Sequence, residues 1–76
     1  RMKRTGTRAG VPDIFLPVSN GREHGLFIEM KRRKGGTVSS SQKVRMKMLT
    51  AEGYRCVVAK GCQEAIDAIM RYMDGE

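Results

Sequence analysis

The sequence predicts a small α/β domain with the element order β-β-α-β-α. Two short apolar runs stand on either side of an Asn-Gly pair, which is typical of a turn between two strands. A serine-rich segment then begins a stretch with helical spacing, and a β-branched run and an amphipathic stretch complete the pattern. Because the chain has only 76 residues, we expect a single domain over residues 1–76.

The first half of the chain predicts two strands. Residues 1–11 are polar, basic and without periodicity, so we expect a flexible basic arm there. Residues 13–18 are an apolar run with proline at both flanks, which predicts the first strand. Residues 26–31 predict the second strand, with Leu, Ile and Met on one face and Phe, Glu and Lys on the other. Since both faces are partly apolar, we expect both to be covered.

The second half predicts a helix, a strand and a helix. Ser39 and Gln42 fit a capping box, and Gly53 suits the left-handed position where that helix ends. Residues 54–59 are β-branched at their centre and predict the third strand. Gly61 opens the last helix, which we expect to reach residue 73. Its predicted core face consists of Ala65, Ile66, Ile69, Met70 and Met73.

Net charge indicates a polyanionic partner. The chain carries 15 Lys and Arg against 8 Asp and Glu, a formal charge of +7. Aromatic residues are 5% of the chain, so we expect contacts to phosphates more than stacking on bases. The predicted DNA-binding residues are Arg4, Arg8, Arg32, Arg33, Lys34, Lys43 and Arg45. A basic surface that is simply solvated is the alternative.

Cysteine usage and size bound the stability and location of the domain. Cys56 and Cys62, with one histidine, make neither a zinc-ligand set nor a disulfide framework, so we expect reduced thiols in a cytoplasmic protein. The sequence has no apolar run near the roughly 18 residues that span a bilayer. A core this small is marginal, and self-association is the predicted source of additional stability.

Three side chains near the ends of the first two strands predict a catalytic site. Glu29 and Lys31 alternate with Met30, so they project to the same face of their strand. With Asp13 they would supply two hard oxygen ligands for Mg²⁺ or Mn²⁺ and a neighbouring cation. The Met30 backbone carbonyl is a candidate third ligand. The alternative is that Glu29 and Lys31 are ordinary exposed residues at a strand end.

This site depends on the register of the hairpin. A two-residue Asn-Gly turn would place Asp13 opposite Ile28, and therefore on the face away from Glu29. The site requires a one-residue offset, from a bulge or from a loop of three or five residues. Pro17 cannot donate to a strand ladder and is a reasonable position for that offset.

Gln42 and His24 each have two interpretations. Gln42 shares a helical face with Met46 and Leu49, so it would point at the sheet and contact Lys31, a water or a phosphate. The alternative is that its side chain only completes the capping box. His24 lies in the polar turn, where a solvated loop residue is favoured over a general base.

The same residues carry a family resemblance. Pro12-Asp13 followed by Glu29-Met30-Lys31 resembles the PD-(D/E)xK nuclease pattern. The longer string resembles the virus-type replication–repair nuclease (VRR-Nuc) domain; it consists of residues 9–16, residues 27–31, Ser41-Gln42 and the Gly53-Tyr54 junction. The match covers about residues 9–73.

The resemblance implies a restriction-endonuclease-like core that uses Mg²⁺ or Mn²⁺. It implies catalytic roles for Asp13, Glu29 and Lys31 and an auxiliary role for Gln42. Standalone relatives are phage and bacterial proteins similar to Holliday-junction resolvases, which act as homodimers. The resemblance also implies an acidic residue on an N-terminal helix. Nothing acidic precedes Asp13 in this sequence, so we expect that helix to lie outside it, or metal binding to be deficient.

The first functional interpretation is therefore a structure-specific DNA endonuclease that resolves branched DNA. A flap- or end-directed nuclease with the same site is the second interpretation. A basic DNA-binding module without catalysis is the third, and substitution of Glu29 distinguishes it from the other two.

Overall fold

The computed structural model describes the backbone of Lys3–Arg4 and residues 11–76. It confirms the predicted order β-β-α-β-α and adds a two-residue strand before it. The elements are β1 (Lys3–Arg4), β2 (Ile14–Leu16), β3 (Leu26–Lys31), α1 (Ser40–Ala51), β4 (Arg55–Lys60) and α2 (Cys62–Met73). Within the segment expected to be a flexible basic arm, the backbone of Lys3–Arg4 pairs with β2, and the other residues before residue 11 lie outside the described residues, so the arm stays a prediction there.

The four strands form one sheet in the order β1-β2-β3-β4. β2 runs antiparallel to β3, and β3 runs parallel to β4. A parallel pair needs a crossover connection, and α1 supplies it. One helix lies on each face of the sheet, which agrees with the expectation that both faces are covered.

The hairpin register has the offset that the catalytic site requires. Ile14 lies opposite Ile28, so Asp13 comes opposite Glu29. The short loops considered from sequence were wrong, because residues 17–25 connect the two strands. Within this loop the Asn20 side chain accepts backbone N–H bonds from Arg22 at 2.9 Å and Glu23 at 2.7 Å. The asparagine stabilises a wide turn, and the tight hairpin turn does not form.

The main core lies between the sheet and α2. Its buried apolar residues are Leu16, Leu26, Ile28, Ala59, Ala65 and Tyr72. The predicted core face of α2 was wrong at three positions, because Ile66, Met70 and Met73 are 48%, 59% and 52% exposed. The fully buried Tyr72 sets the rotation of the helix, since its single hydroxyl proton is shared between the carbonyl oxygens of Val18 and Glu23. A large buried aromatic side chain with a hydrogen-bonded hydroxyl outweighs three smaller apolar side chains.

The opposite face carries α1 and an aromatic cluster. The rings of Phe15 and Phe27 stack at 4.3 Å, and Tyr54 packs edge-on against both. Met46 and Leu49 of α1, which share a helical face with Gln42, are half-buried. Both cysteines are free. In the described part of the chain, no helix has the length and apolar character needed to cross a membrane.

Candidate active site

Asp13 is fixed at the point where the pairing of β2 with β3 ends. Its Oδ2 accepts a hydrogen bond of 2.9 Å from the backbone N–H of Met30, one residue beyond Glu29. The carboxylate thereby takes the place of a strand partner for an N–H that β2 is too short to reach. N–H and C=O groups of one residue point to the same side of a strand, so the Met30 carbonyl also faces Asp13.

Glu29 is a buried carboxylate with one oxygen bonded and one oxygen free. The residue is only 3% exposed. Its Oε2 accepts a 2.8 Å bond from Gln42 Nε2 and lies 3.3 Å from Lys31 Nζ. Its Oε1 is buried and has no hydrogen-bond partner in the described part of the chain. Burial raises the pKa of Glu29, the negative charge of Asp13 raises it further, and Lys31 opposes both.

Gln42 performs both of the functions that the sequence presented as alternatives. Its Oε1 accepts 2.9 Å bonds from the backbone N–H of Ser39 and from Lys31 Nζ. The Ser39 hydroxyl in turn accepts from the Gln42 N–H, which completes the capping box. An amide oxygen has two lone pairs, so it can cap the helix and hold the lysine together, while the amide nitrogen donates to Glu29.

The four predicted catalytic residues therefore form one connected group. Asp13 directly precedes β2, Glu29 and Lys31 come from the second half of β3, and Gln42 comes from the first turn of α1. No group of three or more His, Cys, Asp or Glu side chains is arranged for a metal within residues 11–76. The candidate ligands for a cation are two carboxylates and one backbone carbonyl.

The predicted DNA-binding residues occupy several positions around this group. Arg32, Arg33 and Lys34 follow β3 and are exposed, Lys43 is exposed on α1, and Arg45 on α1 is half-buried. The Arg33 side chain packs against Gly61, where a Cβ would lie 3.1 Å from Arg33 Nε. Arg4 lies in β1, and its side chain, like all of Arg8, lies outside the described residues.

His24 is placed by contacts with the loop before β4. Its backbone N–H donates to Gly53 at 2.8 Å, and its ring packs edge-on against Tyr54. A Cβ on Gly53 would lie 2.6 Å from the His24 ring, so this glycine permits the close approach. These contacts favour the interpretation of His24 as a loop residue over that of a general base.

Sequence reasoning missed Gly36 as a residue that shapes the site. A Cβ on Gly36 would lie 2.7 Å from the Arg32 carbonyl oxygen and 3.0 Å from Lys31 Cβ. The missing side chain lets the loop after β3 fold back onto the base of Lys31. The Gly35-Gly36 pair was visible in the sequence, but nothing local indicated which atoms it approaches.

Comparisons with known proteins agree on one family. The family model for the VRR-NUC domain matches residues 1–63. A solved structure described as a VRR_NUC domain protein superposes with a TM-score of 0.89 at 34% identity, covering 96% of this chain and 67% of that chain. No curated protein matches the chain.

Proposed function

The chain belongs to the VRR-NUC domain family, a nuclease domain of the PD-(D/E)xK type, and we propose that it is a Mg²⁺- or Mn²⁺-dependent DNA endonuclease. The observation that carries this proposal is the buried Glu29 carboxylate, whose Oε1 has no partner in the described part of the chain. A buried charge with an unpaired oxygen is costly unless a cation completes it.

A divalent cation fits this group of residues. Asp13 and Glu29 would hold it, with the Met30 carbonyl as a further oxygen ligand. Hard cations of this kind prefer oxygen donors and keep several bound waters. Two carboxylates and one carbonyl are therefore enough ligands for the protein to supply. When bound, such a cation activates water and neutralises charge on the scissile phosphate.

Lys31 and Gln42 supply the remaining chemistry. Lys31 Nζ lies beside the Glu29 carboxylate and can orient the attacking water or stabilise negative charge on the pentacovalent phosphorane. Gln42 holds this amine through its Oε1 and holds Glu29 through its Nε2. Because Gln42 also caps α1, the start of the helix fixes the geometry of Glu29 and Lys31, which we call the catalytic pair.

We further propose that the substrate is branched DNA and that the active form is a homodimer. We also propose that the enzyme works in the bacterial cytoplasm and is encoded by the bacterium or by a phage. The net charge of +7 supports a DNA substrate. The core of six buried apolar residues in the described part supports self-association as a source of stability. A junction resolvase would place two such sites on one four-way junction, and a flap- or end-directed nuclease is the second candidate.

Cleavage assays test the catalytic proposal. The intact protein is incubated with Mn²⁺ or Mg²⁺ and four-way, flapped, nicked and linear DNA. We expect Glu29→Gln to bind DNA without cutting it. Glu52→Gln is the matched control, since that glutamate is exposed at the end of α1. Equal cleavage by both variants would refute the assignment of Glu29 and favour a DNA-binding module.

The role of Lys31 has its own control. Lys60 is its neighbour across the parallel ladder and is exposed. Lys31→Ala should lower turnover per bound complex far more than affinity, whereas Lys60→Ala should leave turnover unchanged. Loss of affinity with unchanged turnover in Lys31→Ala would make it a phosphate contact only.

Product positions and sedimentation decide between the candidate substrates and states. Paired, symmetric cuts on the four-way junction would establish resolution, and degradation from linear ends would establish an exonuclease. Sedimentation over a range of concentrations tests the homodimer, and a single-chain species throughout would refute it.

A further inference from the structure

Helix α1 has an exposed apolar edge that the fold does not use. Val44 and Met48 are 59% and 58% exposed and lie one turn apart. None of the residues of α1 is fully buried, because the helix rests on the sheet only through its half-buried side. An outward face of a small domain is ordinarily polar, so this pair calls for a physical reason.

The charged residues beside this edge within the helix are cationic, and one acidic residue, the exposed Glu52, follows Met48 by one turn at the C-cap. Lys43, Arg45 and Lys47 are the charged residues of Ser40–Ala51, and the helix has no acidic residue. An open depression of about 410 Å³ lies over this part of the helix, and its described lining residues are Ser40, Ser41, Val44, Arg45 and Met48. Apolar side chains between cations and hydroxyl groups match the chemistry of a nucleic-acid groove, where bases lie between two rows of phosphates.

Helix α1 lies on the same face of the sheet as the candidate active site, and Val44 stands about half a turn round the helix from Gln42, so the edge faces away from the sheet. Gln42 in the first turn of α1 contacts Glu29 and Lys31 directly. Val44 and Met48 follow within the next two turns. DNA with a phosphate at the catalytic pair therefore passes close to the start of α1.

We propose that the outward face of α1 lies in the major groove of bound DNA, with Val44 and Met48 against thymine methyl groups and Lys43 and Lys47 on flanking phosphates. The major groove admits a helix and displays the thymine methyl group. The inference rests on the proposed function for its ligand, and it adds an apolar contact with bases to the predicted phosphate contacts.

A second copy of the chain fits this edge less well than DNA. Two α1 helices packed through Val44 and Met48 would bring Lys43 and Lys47 of one copy near the same cations of the other. The exposed Met70 of α2 lies in a more acidic region than the edge of α1. Glu64 and Asp67 belong to the same helix as Met70, and Asp74 directly follows that helix. Met70 is as exposed as Met48, at 59% against 58%, and is therefore a matched control.

Binding measurements without catalytic metal test the inference. Anisotropy is measured with a thymine-containing duplex and with the same duplex containing uracil, which lacks the methyl group. We expect the wild type to bind the thymine duplex several-fold more tightly, about fourfold for each methyl removed from water. In Met48→Ala and Val44→Ala this preference should shrink, and in Met70→Ala it should persist. Lys47→Ala should instead lower the salt slope of log affinity by about 1 and keep the thymine preference.

Two results would overturn the inference. One is identical behaviour of Met48→Ala and Met70→Ala on both duplexes. The other is loss of a metal-free, DNA-free dimer in Met48→Ala, which would assign the edge to a second copy. Cleavage is measured separately with Mn²⁺. Normal cutting with no thymine preference removes this inference alone, and the expected binding pattern without any cutting removes the catalytic proposal alone.

Discussion

Replacing Glu29 with glutamine should stabilise the metal-free protein while abolishing cleavage. In the wild type this carboxylate is 3% exposed, its Oε1 has no partner in the described chain, and Asp13 places a second negative charge beside it. A glutamine keeps the shape and can still accept from Gln42 and Lys31. Its amide nitrogen would occupy the position of Oε1, facing Asp13. Catalytic sites commonly sacrifice stability in this way.

The expected gain in the free energy of unfolding follows from Oε1 of Glu29, which has no partner in the described chain. A buried polar atom without a partner costs about 1–3 kcal/mol, and part of that cost returns if the new amide is imperfectly bonded. We expect Glu29→Gln to gain about 1–2 kcal/mol at neutral pH. For a domain of this size that corresponds to a rise in Tm of about 5–15 °C.

The stability difference between Glu29→Gln and the wild type should also depend on pH. The folded-state pKa of Glu29 is raised above its ordinary value of 4.5, chiefly by burial. A carboxyl group whose pKa is raised on folding contributes its full stabilisation when the pH is below the ordinary pKa. That contribution is lost as the pH rises through the folded-state pKa. The advantage of glutamine should therefore be present at neutral pH and disappear as the pH falls toward 4.5.

Thermal unfolding followed by circular dichroism in EDTA, at neutral and acidic pH, measures the effect. Added Mg²⁺ should then raise the Tm of the wild type. At a hundredfold excess over Kd, binding adds about 2.7 kcal/mol to the free energy of unfolding of the wild type and leaves that of Glu29→Gln nearly unchanged. Glu52→Gln is the control and should behave as the wild type, since that residue is exposed. A Glu29→Gln protein that is less stable at neutral pH, or that responds equally to Mg²⁺, would refute the reasoning.

Three further substitutions test other parts of the structure. Tyr72→Phe removes a buried hydroxyl that bonds two loop carbonyls, so urea unfolding should show a loss of about 1–3 kcal/mol. Burial raises the pKa of Tyr72 above 10.0, so wild-type stability should fall as pH rises through the folded-state pKa; the phenylalanine variant should lack this alkaline loss. Gln42→Glu keeps the helix cap but faces Glu29 with a like charge, so cleavage should fall while helix content by circular dichroism is retained. Gly36→Ala places a methyl 2.7 Å from the Arg32 carbonyl, so both Tm and cleavage rate should fall; an unchanged Tm would show that the loop adjusts freely.

Features that depend on neighbouring residues could be predicted from the sequence. The capping box of α1 joins positions three apart, so Ser39 and Gln42 identify the helix start without any tertiary information. The alternation of Glu29 and Lys31 on one face follows from strand geometry alone. Their combination with the upstream Pro-Asp pair also indicated the family that the comparisons identify.

Only the tertiary structure decided the features that depend on distant residues. The Asn-Gly pair favoured a tight turn, which would have separated Asp13 from Glu29, but a wide loop tied by side-chain bonds to Tyr72 sets the register. The same aromatic side chain fixes the rotation of α2. Gln42 could combine its two roles because the helix start lies against the end of β3. Local preference fixes where elements begin and end, whereas packing between elements fixes which side chains meet.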